Sequence, residues 1–172
     1  MKRKPIIKLA LSAVLTAVAV VGSMFSFPVF GSQCAPVQHM VNILCAVFLG
    51  PWYGLGVAFA ASLIRNLLSL GTLMAFPGSM FGALLCGLVY LKFKKLIPTC
   101  IAEVFGTSVL GGLCAYPVSV FILGNEVAFY AYIVPFFIST FGGAILSGVL
   151  LMIMQRAGLI DRLKGEIKTK NA

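Results

Sequence analysis

The chain has 172 residues, 60% of them hydrophobic and only 10% charged, with a mean hydropathy of +1.07. A folded surface with so few charges would not stay in water, which excludes a soluble domain and indicates an integral membrane protein. The formal charge of +9 does not point to nucleic acid, because the basic residues flank apolar stretches and form no continuous basic face.

Twelve of the thirteen basic residues fall in three clusters: Lys2, Arg3, Lys4 and Lys8; Lys92, Lys94 and Lys95; and Arg156, Arg162, Lys164, Lys168 and Lys170. The positive-inside rule puts all three on the cytoplasmic face if even numbers of spans separate them. The first apolar run, residues 6–27, follows Met-Lys-Arg-Lys in the outline of a signal peptide, but it has spanning length and no small-residue cleavage site follows it cleanly, so a retained helix is expected. A polar, proline-containing loop over 28–38 leads to a short second helix over 39–49, its start reaching back near Ala35. Gly50-Pro51 ends that helix, Trp52 and Tyr53 mark an aromatic interface, and a third helix runs to residue 70. An outer turn over 71–77, a fourth helix over 78–91, a fifth over 97–121, a loop at 124–126 and a sixth helix over 127–155 complete the pattern. The expected fold is therefore an all-α six-transmembrane-helix bundle with both termini cytoplasmic, a membrane domain at 1–155 and a charged tail at 156–172. A re-entrant hairpin of the second and third helices leaves the termini in the same place, so charge alone does not exclude it.

Chemistry-bearing motifs are sparse. No GxxxxGK[ST] phosphate loop, HExxH or GxSxG occurs, and the five cysteines form no CxxC pair, so ATP hydrolysis, a metal centre and serine hydrolase chemistry find no support. The polar residues gather near the outer side: Gln33, Gln38, His39 and Asn42; Arg65 and Asn66; Tyr116; and Asn125, Glu126, Tyr130 and Tyr132. Burying such groups is costly without partners, so an outward-facing polar pocket explains them together, whereas each alone also reads as loop polarity or capping. Gln38 and Asn42 share one helix face. Arg65 lies twelve residues after Tyr53, about 18 Å along its helix, and needs a counter-ion or a ligand. Glu103, about 9 Å into the fifth helix, is one candidate partner for an ion pair; Glu126 is the other. In the first helix Ala13-x-x-x-Ala17 forms a small-residue face, which reads either as internal packing or as a docking face. Gly106, Gly111, Gly112, Gly142, Gly143 and Gly148 are expected to serve packing within the bundle.

These features resemble the substrate-binding S components of energy-coupling-factor (ECF) vitamin transporters. Gly31-Ser-Gln-Cys-Ala-Pro-Val-Gln-His-Met-Val-Asn42, Leu49-Gly-Pro-Trp-Tyr-Gly54, Arg65-Asn66 and Ala75-Phe-Pro-Gly-Ser-Met-Phe-Gly82 are similar to the ThiW family, assigned to the thiazole precursor of thiamine. The resemblance implies capture of a vitamin precursor at the outer face of a bacterial plasma membrane, with the first loop as a lid. It also implies docking through Ala13 and Ala17 on a transmembrane coupling subunit driven by two cytoplasmic ATPases, with no cofactor or metal. Its implied ligand, hydroxyethylthiazole, would stack on Phe76, Tyr116 or Tyr132 and hydrogen-bond to His39, Asn42 or Asn66, within a site that also holds Gln38 and Arg65. An S component for another vitamin, such as thiamine or riboflavin, and a stand-alone secondary carrier are the alternatives.

Overall fold

The computed structural model describes residues 3–29 and 32–168; Lys2, Gly31 and Lys170 lie outside them. The first helix, α1, is Arg3–Gly22, extended by a single 3-10 turn, Ser23–Phe25. The segment expected as an open loop instead forms an antiparallel hairpin of β1 (Phe27–Val29) and β2 (Ser32–Cys34), with Phe27 opposite Cys34. The second helix, α2, begins at once as Pro36–Phe48, as the expected start near Ala35 requires, because Pro36 is preset for a first helical position and lacks an N–H that would otherwise go unpaired.

Gly50 then adopts φ +90, a conformation that a side chain would strain, and Pro51 opens α3, Pro51–Leu67. The fourth helix, α4, is Ala75–Phe93; Pro77 sits in its first turn, where a missing donor costs nothing, so the helix starts before the expected residue 78. The fifth, α5, runs as one span Leu96–Ile122, with π-helical segments at Gly106–Gly111 and Val118–Ile122. The sixth, α6, is Ile133–Arg156 and starts six residues later than expected, with Pro135 in its first turn. After Gly158, at φ +67, the expected charged tail forms a further helix, α7, Leu159–Lys168, whose Ile160 and Leu163 pack against the core.

Among the described residues, four helical stretches are long and apolar enough to cross a membrane: Pro5–Phe25, Ala75–Phe93, Leu96–Ile122 and Ile133–Arg156. The 13 residues of α2 and the 17 of α3 reach about 20 and 26 Å, short of the roughly 30 Å hydrocarbon core, so the expected six full-length spans reduce to four. The reason for the short second helix is its position. It touches α1, α3, α4, α5 and α6 and is buried over most of its length, so it never has to match the lipid thickness by itself. Large apolar side chains such as Phe121, Leu67 and Ile97 point outward, while Gln38, Asn42 and Glu103 are among the most buried side chains. That arrangement is inverted from a soluble fold and suits a lipid surround.

Close packing of α4 on α5 depends on Gly111, where an added Cβ would stand 2.6 Å from the Cα of Gly78. Gly148, expected to serve packing as well, meets nothing within 4 Å. Gly111→Ala is therefore expected to force the two helices apart at a cost of about 1–3 kcal/mol, read as a lower melting temperature in detergent. Gly148→Ala is the control and should leave melting unchanged or raise it; equal effects at both positions would refute this account of the α4–α5 contact.

Candidate functional site

The helical registers bring one set of polar side chains to the centre of the bundle. Gln38, His39 and Asn42 come from the first two turns of α2, Ser62 and Arg65 from the end of α3, Ser79 from α4, Glu103 and Thr107 from α5, and Ser139 from α6. All are buried, with Glu103 at 0% and Arg65 at 3% exposure.

Glu103 is the hub. Its Oε1 accepts from His39 Nδ1 at 3.0 Å, from Asn42 Nδ2 at 2.9 Å and from Thr107 Oγ1 at 3.3 Å. When Glu103 is a carboxylate it can only accept, and His39 then carries a proton on Nδ1. Asn42 also donates to the Ser79 carbonyl at 3.2 Å. Ser79 and Ser62 share a hydroxyl contact at 2.9 Å, Gln38 Nε2 donates to Ser62 Oγ at 3.2 Å, and Arg65 Nη1 donates to Gln38 Oε1. One polar network thus connects a buried cation to a buried anion. The ion pair expected between Arg65 and Glu103 is not formed, because Gln38 and the two serines stand between them; among the described residues Glu103 instead meets His39, at 3.0 Å, a contact that is an ion pair only when His39 is protonated.

Three buried atoms of this network lack a hydrogen-bond partner: Asn42 Oδ1, Arg65 Nε and Glu103 Oε2. Each costs about 1–3 kcal/mol if left unpaired. A cavity of about 20 Å³ lies among Gln33, Gln38, His39, Arg65, Phe136 and Ser139, room for one water molecule and no more. From the hairpin, Gln33 of β2 lines it. Cys34 Sγ donates to the Pro135 carbonyl at 3.2 Å and the Ala35 N–H donates to Ser139 Oγ at 2.9 Å, tying the hairpin end to the first turns of α6.

The other residues expected at a site lie apart. Asn66 donates to the carbonyls of Ser62 and Thr72, closing the end of α3 onto the following turn. Phe76 packs on Phe59 with ring centroids 5.6 Å apart, and Tyr116 is half-buried on α5 outside the network. Tyr132 bonds Ser119 at 2.6 Å and meets the cavity only through Phe136, 6.1 Å away ring to ring. Phe136 is the aromatic that faces the cavity, and the sequence reading missed it. It also missed Ser62, Ser79, Thr107 and Ser139, although Ser62 and Thr107 stand three and four residues from Arg65 and Glu103, a spacing that places each pair on one helix face. Ala13 and Ala17 are both exposed, and Ala13 joins Ser12, Thr16, Trp52, Gly56 and Ala60 along an apolar groove of about 460 Å³ between α1 and α3.

Removing the hub should be costly. Glu103→Ala strands the donors of His39, Asn42 and Thr107 in a low-dielectric interior, and a loss of about 3–5 kcal/mol is expected from breaking a buried pair, read as a large drop in detergent melting temperature. Glu103→Gln keeps an acceptor for two of them and should lose less; if both variants melt like the parent, Glu103 does not organise the bundle.

The description of the matching family is thiamine-precursor transporter protein (ThiW), and its match covers residues 9–157, from the second turn of α1 past the end of α6. No curated protein and no solved structure matches the chain. Every member of the buried polar network lies inside the matched residues, and the chain belongs to the ThiW family of thiamine-precursor transporters.

Proposed function

We propose that this chain is the substrate-capture subunit of an ECF-type uptake transporter in a bacterial plasma membrane, and that hydroxyethylthiazole is its cargo. The observation that carries this reading is the set of unpaired buried atoms beside a cavity that Gln33 of the hairpin lines. A thiazole offers one ring acceptor and one hydroxyl, which match the orphan donor on Arg65 and the orphan acceptors on Asn42 and Glu103, while Phe136 supplies a ring face. Gln38 and His39 hold these groups in place. Since the cavity is smaller than any thiazole, entry requires the hairpin carrying Gln33 to move, which gives the first loop its role as a lid.

The topology proposed is six crossings with both termini cytoplasmic, the short α2 and α3 completing their crossings inside the bundle. In support, Lys8 of α1 lines one cavity with Tyr90 and Lys94 of α4, and Gln155 of α6 lines the neighbouring one, so the basic clusters meet at one end. The absence of a phosphate loop in the chain makes energy a matter for partners, a coupling subunit and two ATPases. The exposed Ala13 and Ala17 face, beside the groove at Trp52, offers that subunit a close helix approach.

A second reading, a stand-alone carrier, draws on the His39–Glu103 pair, since ionisable pairs at such depth also relay protons. Two measurements separate the readings. Calorimetric titration of detergent-purified protein with hydroxyethylthiazole is expected to show binding that weakens about 10- to 100-fold in Arg65→Met and Asn42→Ala, the loss of one charge-assisted or buried hydrogen bond. No heat with the thiazole, alongside binding of thiamine or riboflavin, would discard the cargo. Uptake into liposomes by this chain alone, without ATPases, would replace the capture subunit with the carrier. In the capture reading, Ala13→Leu with Ala17→Leu abolishes uptake in cells while leaving calorimetric binding intact.

A further inference from the structure

We propose that the basic end of the bundle holds a binding site for the phosphodiester headgroup of an anionic phospholipid. Two adjoining cavities of about 620 and 290 Å³ open there and share Val47, Tyr90 and Lys94. The larger lies within the size range of ligand sites. Lys95 lines the larger and Lys8 the smaller, so lysines 86 or more positions apart in the chain border the two adjoining cavities, the Lys8 Nζ resting 5.4 Å over the Tyr53 ring. Among the described residues, none that lines the two cavities is acidic.

The local backbone serves this arrangement. Lys94 caps α4 with φ 54, a left-handed conformation that is costly for any residue with a side chain, and its Nζ sits 5.4 Å over the Tyr90 ring. From Lys95 the chain turns directly into α5, which starts with no capping side chain and no acidic residue in its first turn. The positive end of that helix therefore adds to the field of the lysines.

Charge selects an anion, and the walls select a lipid. Apart from the lysines and Gln155 the larger cavity is lined mainly by Val47, Leu96, Pro98, Leu151 and Ile160, against which a free hydrated anion would lose its water without compensation. Leu91 and Ile97, which also line the two cavities, are 57% and 74% exposed on the outer faces of α4 and α5. They give acyl chains a continuous apolar path away from a headgroup seated on the lysines.

Native mass spectrometry of the full chain, released from mild detergent and titrated with phosphatidylglycerol or with phosphatidylcholine of the same acyl chains, tests this. Phosphatidylglycerol is expected to be retained at least about 25-fold more strongly, and Lys94→Gln/Lys95→Gln to weaken it about 25-fold, at about fivefold per lysine. Lys92→Gln/Arg156→Gln removes the same charge outside the cavities and should change retention less than about twofold, because it leaves the site's own lysines in place. Equal losses in the two double variants would reduce the effect to general surface charge and overturn the site. Equal retention of the two lipids would do the same, and inorganic phosphate or glycerophosphoglycerol binding as tightly as the whole lipid would overturn the lipid as occupant.

Discussion

A single carboxylate group decides how this bundle is assembled. Glu103 stands at the centre of an apolar protein with 0% exposure, and a charge there is tolerated only if donors surround it. Two of its donors come from α2 and one from its own helix, so α2 must enter the middle of the bundle. Much of the rest follows from that requirement: α2 is short because it is enclosed, the hairpin precedes it because the chain must turn from α1 into the interior, and the serines of α3, α4 and α6 line the space around it.

The molecule is polar in two different ways at its two ends. Toward the hairpin, polar groups are buried and few, and they contact one another at hydrogen-bonding distance. At the opposite end Lys94 and Lys95 are exposed, Lys8 is half-buried, and apolar walls lie between them. Buried groups of the first kind suit recognition of a small molecule by directed hydrogen bonds, since a wrong ligand leaves them unpaired. Exposed cations of the second kind act through a diffuse field that salt weakens, which suits the surface of a membrane.

Much of the architecture was legible in the residues. Long apolar runs between basic clusters marked the membrane helices, and Leu49-Gly50-Pro51 marked the break between α2 and α3. Boundaries failed at two helix starts: Pro77 belongs to the first turn of α4, and reading it as loop material moved that expected start to 78, whereas α6 was drawn six residues too early because the apolar run over 127–132 reads as helix although the chain there only turns. Hydropathy also could not show that α2 is enclosed, because an enclosed helix and a lipid-facing one are equally apolar in composition. At the site, Gln38, His39, Asn42 and Arg65 were found because amides and charges are rare in apolar segments. The serines and Thr107 were not, because hydroxyls commonly bond back to their own helix, as Thr140 and Ser147 do here, and only the packing shows which ones reach across.

The π-helical segment at Gly106–Gly111 has a consequence for how α5 divides its labour. Glu103 and Ser119 are 16 residues apart and both fully buried, yet at about 100° per residue a regular helix would aim them about 160° apart. Absorbing one residue into the wide turn brings that angle down to about 60°, so both look inward, one toward α2 and the other toward Tyr132. The segment works as a phase shifter: it lets the half of α5 that holds the carboxylate and the half that braces the entry to α6 both face the interior of the bundle.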